Sequence, residues 1–366
     1  MNNFNNNKKN IIIVAGGTGG HIYPAITLGK YLNHNLLNVI FITDQRGLNN
    51  LNLARLEPNV INVRGFAGKT FLQKIFSIIL IIISLFRTLA FLKNKKADIV
   101  LGFGSYVQVP VVLAAKILKI KVILHEGNLI LGNADKYFWK FARARATSFN
   151  IKNSSKNYKI TGLPVRTEIQ DLFERKYNFS QSNNKINILI LGGSLGSLVL
   201  SKSLCNQICL LPLKIRQKLH ITHQSIPDDI DYVNNNYLRN KISSDVKEYF
   251  SDIHYKLRNT TLVICRSGAS TISENLVAGL PAIYIPLSKS IDNHQKHNAE
   301  MIEKHKAGWL IDEEHINGGK FLKLLTKLLS SKRLLEEISS NCKKIANPHA
   351  SKNLYRLVLG VLSEEF

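Results

Sequence analysis

IIIVAGGTGGHIYP, residues 11–24, sets four β-branched residues directly before a turn with four glycines in five positions, followed at once by a histidine. A strand running into a glycine turn and then a helix brings backbone N–H groups close to an anion, and the helix N-terminus adds about half a positive charge. A dinucleotide fingerprint would need glycine at 17, 19 and 22, but position 22 is Ile22, and only Asp44 stands about where its ribose-binding acid would. Gly68–Thr70 reads GKT, yet a P-loop would need glycine where Val63 stands, and no strand introduces it.

Outward from this turn the pattern repeats. NIIIVA, NVIFIT, ADIVLGF and KVILHE precede residue 130, and INILILGG, LHITHQ, TLVICRSG and PAIYIPL follow residue 185. Near-continuous apolar strands separated by helical stretches indicate parallel sheets covered on both faces. The second half also starts with a strand and a glycine turn, LGGSLGS at 191–197. The expectation is an α/β chain of two Rossmann-like domains, with Gly162 and Pro164 in NYKITGLPVRTEI marking a hinge near residue 165. Ligands of open parallel sheets bind beyond the strands' carboxyl ends, so two such edges facing each other would make a cleft.

The formal net charge is +24, and it is uneven: residues 1–165 carry 22 Lys and Arg against 5 Asp and Glu, the remainder 27 against 20. Anionic partners follow, either phosphates, nucleic acid or an acidic membrane surface, although a chain rich in Asn, Ile and Lys could also scatter lysines without purpose. Cys205, Cys209, Cys265 and Cys342 form no CxxC pair or zinc spacing, which suits a reducing compartment. Only five apolar residues precede the first glycines, too few for a secretory signal, so a cytoplasmic chain is expected.

FLQKIFSIILIIISLFRTLAFLK, residues 71–93, stands apart. Its longest uncharged run is 12 residues, Ile75 to Phe86, against about 20 for a spanning helix. It reads either as a buried helix covering the sheet or, with Lys74, Arg87, Lys93, Lys95 and Lys96 around it, as a helix resting in a bilayer interface. The basic first half favours the interface.

Three further loops fall at the same sheet edges. GFGSYVQVP at 102–110 offers Gly104 and Tyr106, and HEGNLILG at 125–132 offers His125, Glu126 and Asn128. In CRSGASTISENLVAGLP a helix opens at Ala269, Ser270 and Thr271, with Ser267 or a neighbour as its cap, Gly279 at its end and Pro281 beyond. Glu274, one turn inside, can accept two hydrogen bonds from a vicinal diol, or serve only the helix dipole. Asp292, His294 and Gln295 are hydroxyl partners in a polar loop, and DDID at 228–231 reads as a solvated loop before a metal site. An imidazole can act as a base at neutral pH, so His21 can take a proton or merely orient its loop.

In order, AGGTGGH, GFGSYVQVP, HEGNLILG, GLPVRTE, GGSLGS, RSGASTISE and DNHQKHNA resemble the bacterial peptidoglycan glycosyltransferases that add N-acetylglucosamine to an undecaprenyl-linked muramyl-pentapeptide. The likeness runs from about residue 10 to 350. It implies an inverting hexosyltransferase of the GT-B type, with an acceptor and membrane domain at 1–165, a donor domain at 166–344, and residues 345–366 returning to the first. The implied partners are UDP-N-acetylglucosamine, the muramyl lipid, and an anionic membrane surface met by residues 71–96 on the cytoplasmic face of the inner membrane. Nucleic acid, cofactor and metal are not implied.

By the same resemblance Thr18, Gly19, Gly20 and Asn128 border the sugar and the acceptor diphosphate. Arg166 and Ser194 hold the donor diphosphate, and the backbone near Phe250 reads the uracil. Glu274 binds the ribose, Ala269, Ser270 and Thr271 present a helix N-terminus to phosphate, and Gln295 meets sugar hydroxyls. His21 is the candidate base. The sequence departs from the family at Gly127, usually Gln, and at Ser105, usually Gly. Competing expectations are a UDP-sugar-dependent glycolipid synthase, a UDP-sugar epimerase on the same fold, and a membrane-surface scaffold without catalysis.

Overall fold

The computed structural model describes residues 8–17, 19–63, 65, 70–151, 157–179, 185–193, 197–288 and 290–364. Two compact units emerge, Met1–Arg166 together with His349–Phe366, and Thr167–Pro348.

In the first unit β1 (Asn10–Val14), β2 (Asn38–Thr43), β3 (Asn59–Val60), β4 (Ile99–Gly102), β5 (Lys121–Glu126), β6 (Ala144–Thr147) and β7 (Lys159–Ile160) lie in the order β3-β2-β1-β4-β5-β6-β7. Every pairing is parallel. The unbroken Ile11, Ile12, Ile13, Val14 run is explained by burial on both faces, since all four are 0% exposed. Alternation sends Ile11 and Ile13 to one side, against Ile22, Leu28 and Leu32 of the Gly19–His34 helix and Leu354, Leu357, Val358 and Val361 of the last helix. Ile12 and Val14 face the other side, against Leu92, Val107 and Val111.

The last helix, Ala350–Leu362, therefore completes the first unit's core. Lys121 Nζ donates to the Val361 carbonyl at 2.9 Å, and Tyr355 meets Tyr31 edge-on with ring centroids 6.0 Å apart. Each of its fully buried aliphatic side chains contributes about 1.5–3 kcal/mol.

The second unit repeats the plan. β8 (Ile186–Leu191), β9 (Leu219–Gln224), β10 (Ser243–Lys247), β11 (Leu262–Cys265), β12 (Ala282–Tyr284) and β13 (Trp309–Leu310) run parallel in the order β10-β9-β8-β11-β12-β13. Counted within its own unit, each sheet has the order 3-2-1-4-5-6 for its first six strands. The winding reverses between β1 and β4 and between β8 and β11, and beyond the carboxyl ends of those strands such sheets hold their ligands.

The Phe71–Asn94 helix buries Leu92 in the core but otherwise departs from the usual pattern of a covering helix. Its inward stripe carries Ser77, Ser84 and Thr88, all at most 3% exposed, whereas Ile79, Ile82 and Phe86 are 47%, 48% and 67% exposed. The buried hydroxyls are satisfied by main-chain carbonyls: Ser77 donates to Gln73, Ser84 to Asn62 and Thr88 to Ser84. Its 24 residues are long and apolar enough to cross a membrane, despite the shorter uncharged run. One stripe packs on the Gln108–Ile117 helix, so only its outer face is left for another medium.

Candidate active site

The glycine turn after β1 answers first to packing. A Cβ on Gly16 would fall 2.3 Å from Val107 Cγ2, and one on Gly19 would fall 2.8 Å from Tyr23 Cε2. Gly17 takes a φ of +80°, and its N–H donates to Asp44 Oδ1 at 3.0 Å. The same oxygen accepts the Gly47 N–H at 3.0 Å, while Oδ2 takes Arg46 Nε and Nη2 at 3.0 and 2.8 Å. Asp44 is thus spent on closing the turn and opening the Gln45–Leu53 helix, which removes it from ribose binding. Thr18, and Gly68 and Lys69 of the GKT stretch, lie outside the described residues.

His21 sits half-buried in the first turn of the Gly19–His34 helix, next to an exposed Gly20. A Cβ on Gly104 would come within 3.3 Å of His21 Cδ2 and Nε2, so the turn after β4 forms one wall of the imidazole's site. Gly104 (φ +85°) and Ser105 (φ +71°) both adopt the left-handed region. Serine holds it at a cost of about 1 kcal/mol that the usual glycine would avoid. Tyr106 follows, half-buried, and Arg166 places its guanidinium carbon 5.6 Å from the Tyr23 ring centroid, on the helix that carries His21.

The turn after β5 is built from below. His125 is 1% exposed and bonds through Nε2 to the Gly162 carbonyl at 2.8 Å, and burial lowers its pKa to about 4, so the ring is neutral and donates. Glu126 also points inward, accepting the Asn128 backbone N–H and Nδ2–H at 2.8 and 3.0 Å and the Gly132 N–H at 2.7 Å. Both shape the loop that bears Asn128.

In the second unit Ser194 lies outside the described residues, but Ser197 at the end of that turn is visible. Its Oγ accepts Arg266 Nη2 at 2.6 Å. Arg266, 8% exposed, also donates from Nη2 to Glu313 Oε1 at 2.5 Å and from Nη1 to the Ile285 and Pro286 carbonyls at 3.1 and 3.2 Å. Burial opposes the Glu313 charge, yet Ser288 and Arg266 together hold its carboxyl below the usual range. Sequence reasoning misses Arg266, and its place at the end of β11 in CRSG is the available sign.

The Ala269–Ala278 helix starts behind Gly268, which has no side chain to cap it. Ser267 does not serve as cap, because its hydroxyl donates to the Gln295 carbonyl at 2.8 Å. Ala269, Ser270 and Thr271 form the half-buried first turn, Glu274 follows half-buried, and Gly279 ends the helix at φ +64°. Gln295 accepts the Leu287 N–H at 3.0 Å through Oε1, which fixes its side chain beside the loop after β12. Phe250 is 5% exposed, with Lys247 and Lys256 nitrogens 5.7 and 5.3 Å from its ring centroid. DDID is not the expected solvated loop: it leads into the Ile230–Arg239 helix, with Asp229 1% exposed and paired with Lys202 Nζ at 2.8 Å, and no group of three metal-ligating side chains converges among the described residues.

Both parts of the chain match known families. Residues 11–147 match the glycosyltransferase family 28 N-terminal domain and residues 187–354 its C-terminal domain. The UDP-N-acetylglucosamine–N-acetylmuramyl-(pentapeptide) pyrophosphoryl-undecaprenol N-acetylglucosamine transferase of Wolbachia pipientis subsp. Culex pipiens is 35% identical, covering 91% of this chain and 94% of that one. The enzyme of the same name from Rickettsia bellii is 36% identical over 92% and 95%. The crystal structure of Acinetobacter baumannii MurG superposes with a TM-score of 0.77 at 26% identity, covering 96% and 99%. With both domains matched in order and relatives above 30% identity along nearly its whole length, the chain belongs to the family of UDP-N-acetylglucosamine–N-acetylmuramyl-(pentapeptide) pyrophosphoryl-undecaprenol N-acetylglucosamine transferases.

Proposed function

We propose that this chain transfers N-acetylglucosamine from UDP-N-acetylglucosamine to a sugar hydroxyl of undecaprenyl-diphospho-muramoyl-pentapeptide, the step from lipid I to lipid II, with inversion. The observation that carries the reading is the continuous relation to transferases of that name through both domains. The acceptor oxygen forms a bond to the anomeric carbon as the bond from that carbon to the UDP oxygen breaks. His21 takes the hydroxyl proton, and UDP leaves with one more negative charge.

The N-terminus of the Ala269–Ala278 helix, at Ala269, Ser270 and Thr271, turns its partial positive charge to the UDP oxygen, and Arg166 and Ser194 are assigned to the diphosphate. Glu274 takes the ribose diol, the backbone at Phe250 the uracil, and Gln295 the sugar hydroxyls. On the acceptor side Thr18, Gly19, Gly20 and Asn128 border the acceptor diphosphate and sugar, with Gly104 and Tyr106 in the adjoining turn. The first unit is the acceptor domain and the second the donor domain.

The exposed apolar face of the Phe71–Asn94 helix, with Arg87, Lys93, Lys95 and Lys96 exposed around it, suits a helix lying among anionic headgroups. That supports a peripheral place on the cytoplasmic face of the inner membrane, where a lipid-linked acceptor is presented.

UDP release measured with and without the muramyl lipid is the test. Release that requires the lipid supports the transferase. Conversion of the UDP-sugar into its epimer without lipid and without net UDP release indicates an epimerase, release only with a diacylglycerol-type acceptor indicates a glycolipid synthase, and no UDP binding or release indicates a scaffold.

A further inference from the structure

Beneath the two acceptor-side turns of the first unit runs a buried chain of polar side chains that the roles above leave unused. Gln108 is 0% exposed, Asp135 1% and Glu126 5%. The Gly104 N–H donates to Gln108 Oε1 at 3.0 Å, and Gln108 Nε2 donates to Asp135 Oδ1 at 2.6 Å. Asp135 lies close enough to the Glu126 carboxyl to share a hydrogen bond with it, and Glu126 accepts both N–H groups of Asn128 and that of Gly132. The path leads from the turn that walls in His21 to the turn that bears Asn128.

A hydrogen bond between two carboxyl groups needs one proton. Glu126 already accepts three N–H groups on its two oxygens, as an ionised carboxylate does, so the proton belongs to Asp135. Its surroundings agree. Glu126 is the charged group that acts on Asp135. The Gln108–Ile117 helix faces it with a neutral amide, and β5 contributes Glu126 itself. On its own helix, Lys136 reaches out to Asn133 Oδ1 at 3.5 Å and is exposed. Among the described residues no cation pairs with either group, and two buried carboxylates left so cannot both be charged at acceptable cost.

We infer that Asp135 is a positioning residue, kept as the neutral acid, whose proton to Glu126 and whose acceptance from Gln108 bind the Gly104 and Asn128 turns into one rigid acceptor-side floor. This rests on the acceptor role proposed for those turns. Burial, and then the neighbouring Glu126 charge, push the Asp135 carboxyl well above its ordinary range. The tie therefore holds below that raised range and fails as pH climbs through it, when a second buried negative charge would force the two turns apart. Asparagine can replace the acid, since it donates to Glu126 and accepts from Gln108 with no proton to lose.

The test compares wild type, Asp135→Asn and Asp135→Leu in steady-state kinetics from neutral to alkaline pH, varying UDP-N-acetylglucosamine and the muramyl lipid separately. Wild type should lose affinity for the lipid as pH rises, while Asp135→Asn keeps near-wild-type neutral activity and loses that alkaline dependence. Asp135→Leu should raise the lipid KM about tenfold or more at every pH, with the UDP-N-acetylglucosamine KM within about twofold of wild type. An Asn variant as impaired as the Leu variant, or one that shares the wild-type alkaline limb, overturns the inference. Absence of lipid-dependent turnover in wild type would sink the proposed function instead, and unfolding midpoints against pH then decide. Wild type should lose stability with rising pH more steeply than Asp135→Asn, and equal slopes overturn the inference.

Discussion

The His21 imidazole stands against Gly104, so closely that a methyl group there would lie 3.3 Å from its Cδ2 and Nε2. With φ at +85°, Gly104→Ala adds backbone strain of about 1–2 kcal/mol and also displaces the ring. Turnover is expected to fall by about 100-fold, the effect of misplacing a reacting group by an ångström. His21→Ala should lower kcat by about 100- to 10,000-fold while leaving UDP-N-acetylglucosamine affinity nearly unchanged. Near-normal kcat in the His21 variant would remove it as the base.

Arg266 ties the glycine turn of the second unit to Glu313 and to the end of β12. Lysine has no planar fork with which to serve several acceptors at once, so Arg266→Lys should weaken UDP binding by about tenfold or more in calorimetry. Glu313→Gln, which keeps a hydrogen-bond acceptor, should cost less. Equal affinity in the Lys variant would show that the turn is held by other contacts.

His125 and His223 are buried neutral, each with its pKa lowered by desolvation to about 4. The unfolded chain takes up these protons near pH 6.5 and the folded one only near 4. Stability from each is full above about pH 6.5 and falls as pH drops toward 4, by up to about 3 kcal/mol. Calorimetric unfolding across that range should show the loss, and His125→Gln should reduce its steepness. A flat profile would contradict burial of neutral imidazoles.

Ile79 and Ile82 lie on the exposed face of the Phe71–Asn94 helix. Each stands to gain about 1.5–3 kcal/mol from burial in a bilayer, so the double change Ile79→Lys, Ile82→Lys should abolish flotation with anionic vesicles. Circular dichroism and UDP affinity should not change. Vesicle binding that survives would place the membrane contact elsewhere.

How much the sequence reveals follows from the range of each interaction. Runs such as Ile11–Val14 and the twin glycine turns are local, and they suffice for two parallel sheets. The two-residue strands β3, β7 and β13 leave too short a pattern to read. Gly279 is legible as a helix end because its left-handed conformation is a local demand, whereas the cap at the other end falls to Gly268 once Ser267 finds a partner 28 residues away. Distance in sequence also hides the Arg266 grip on Glu313, 47 residues on, and the Gln108–Asp135 bond, 27 residues apart. Asp44 misleads for the same reason, since its spacing suits a ribose ligand but Gly17 across the sheet claims its oxygen. The 71–93 stretch leaves two readings open, as apolar composition alone does not say which stripe turns inward.

The most direct measurement supplies UDP-N-acetylglucosamine labelled in the sugar together with undecaprenyl-diphospho-muramoyl-pentapeptide and follows the label into extractable lipid. Label should enter the lipid as a single inverted N-acetylglucosamine linkage, with one UDP released for each sugar transferred. Label that stays in the aqueous phase, or UDP released without lipid glycosylation, would contradict the assignment.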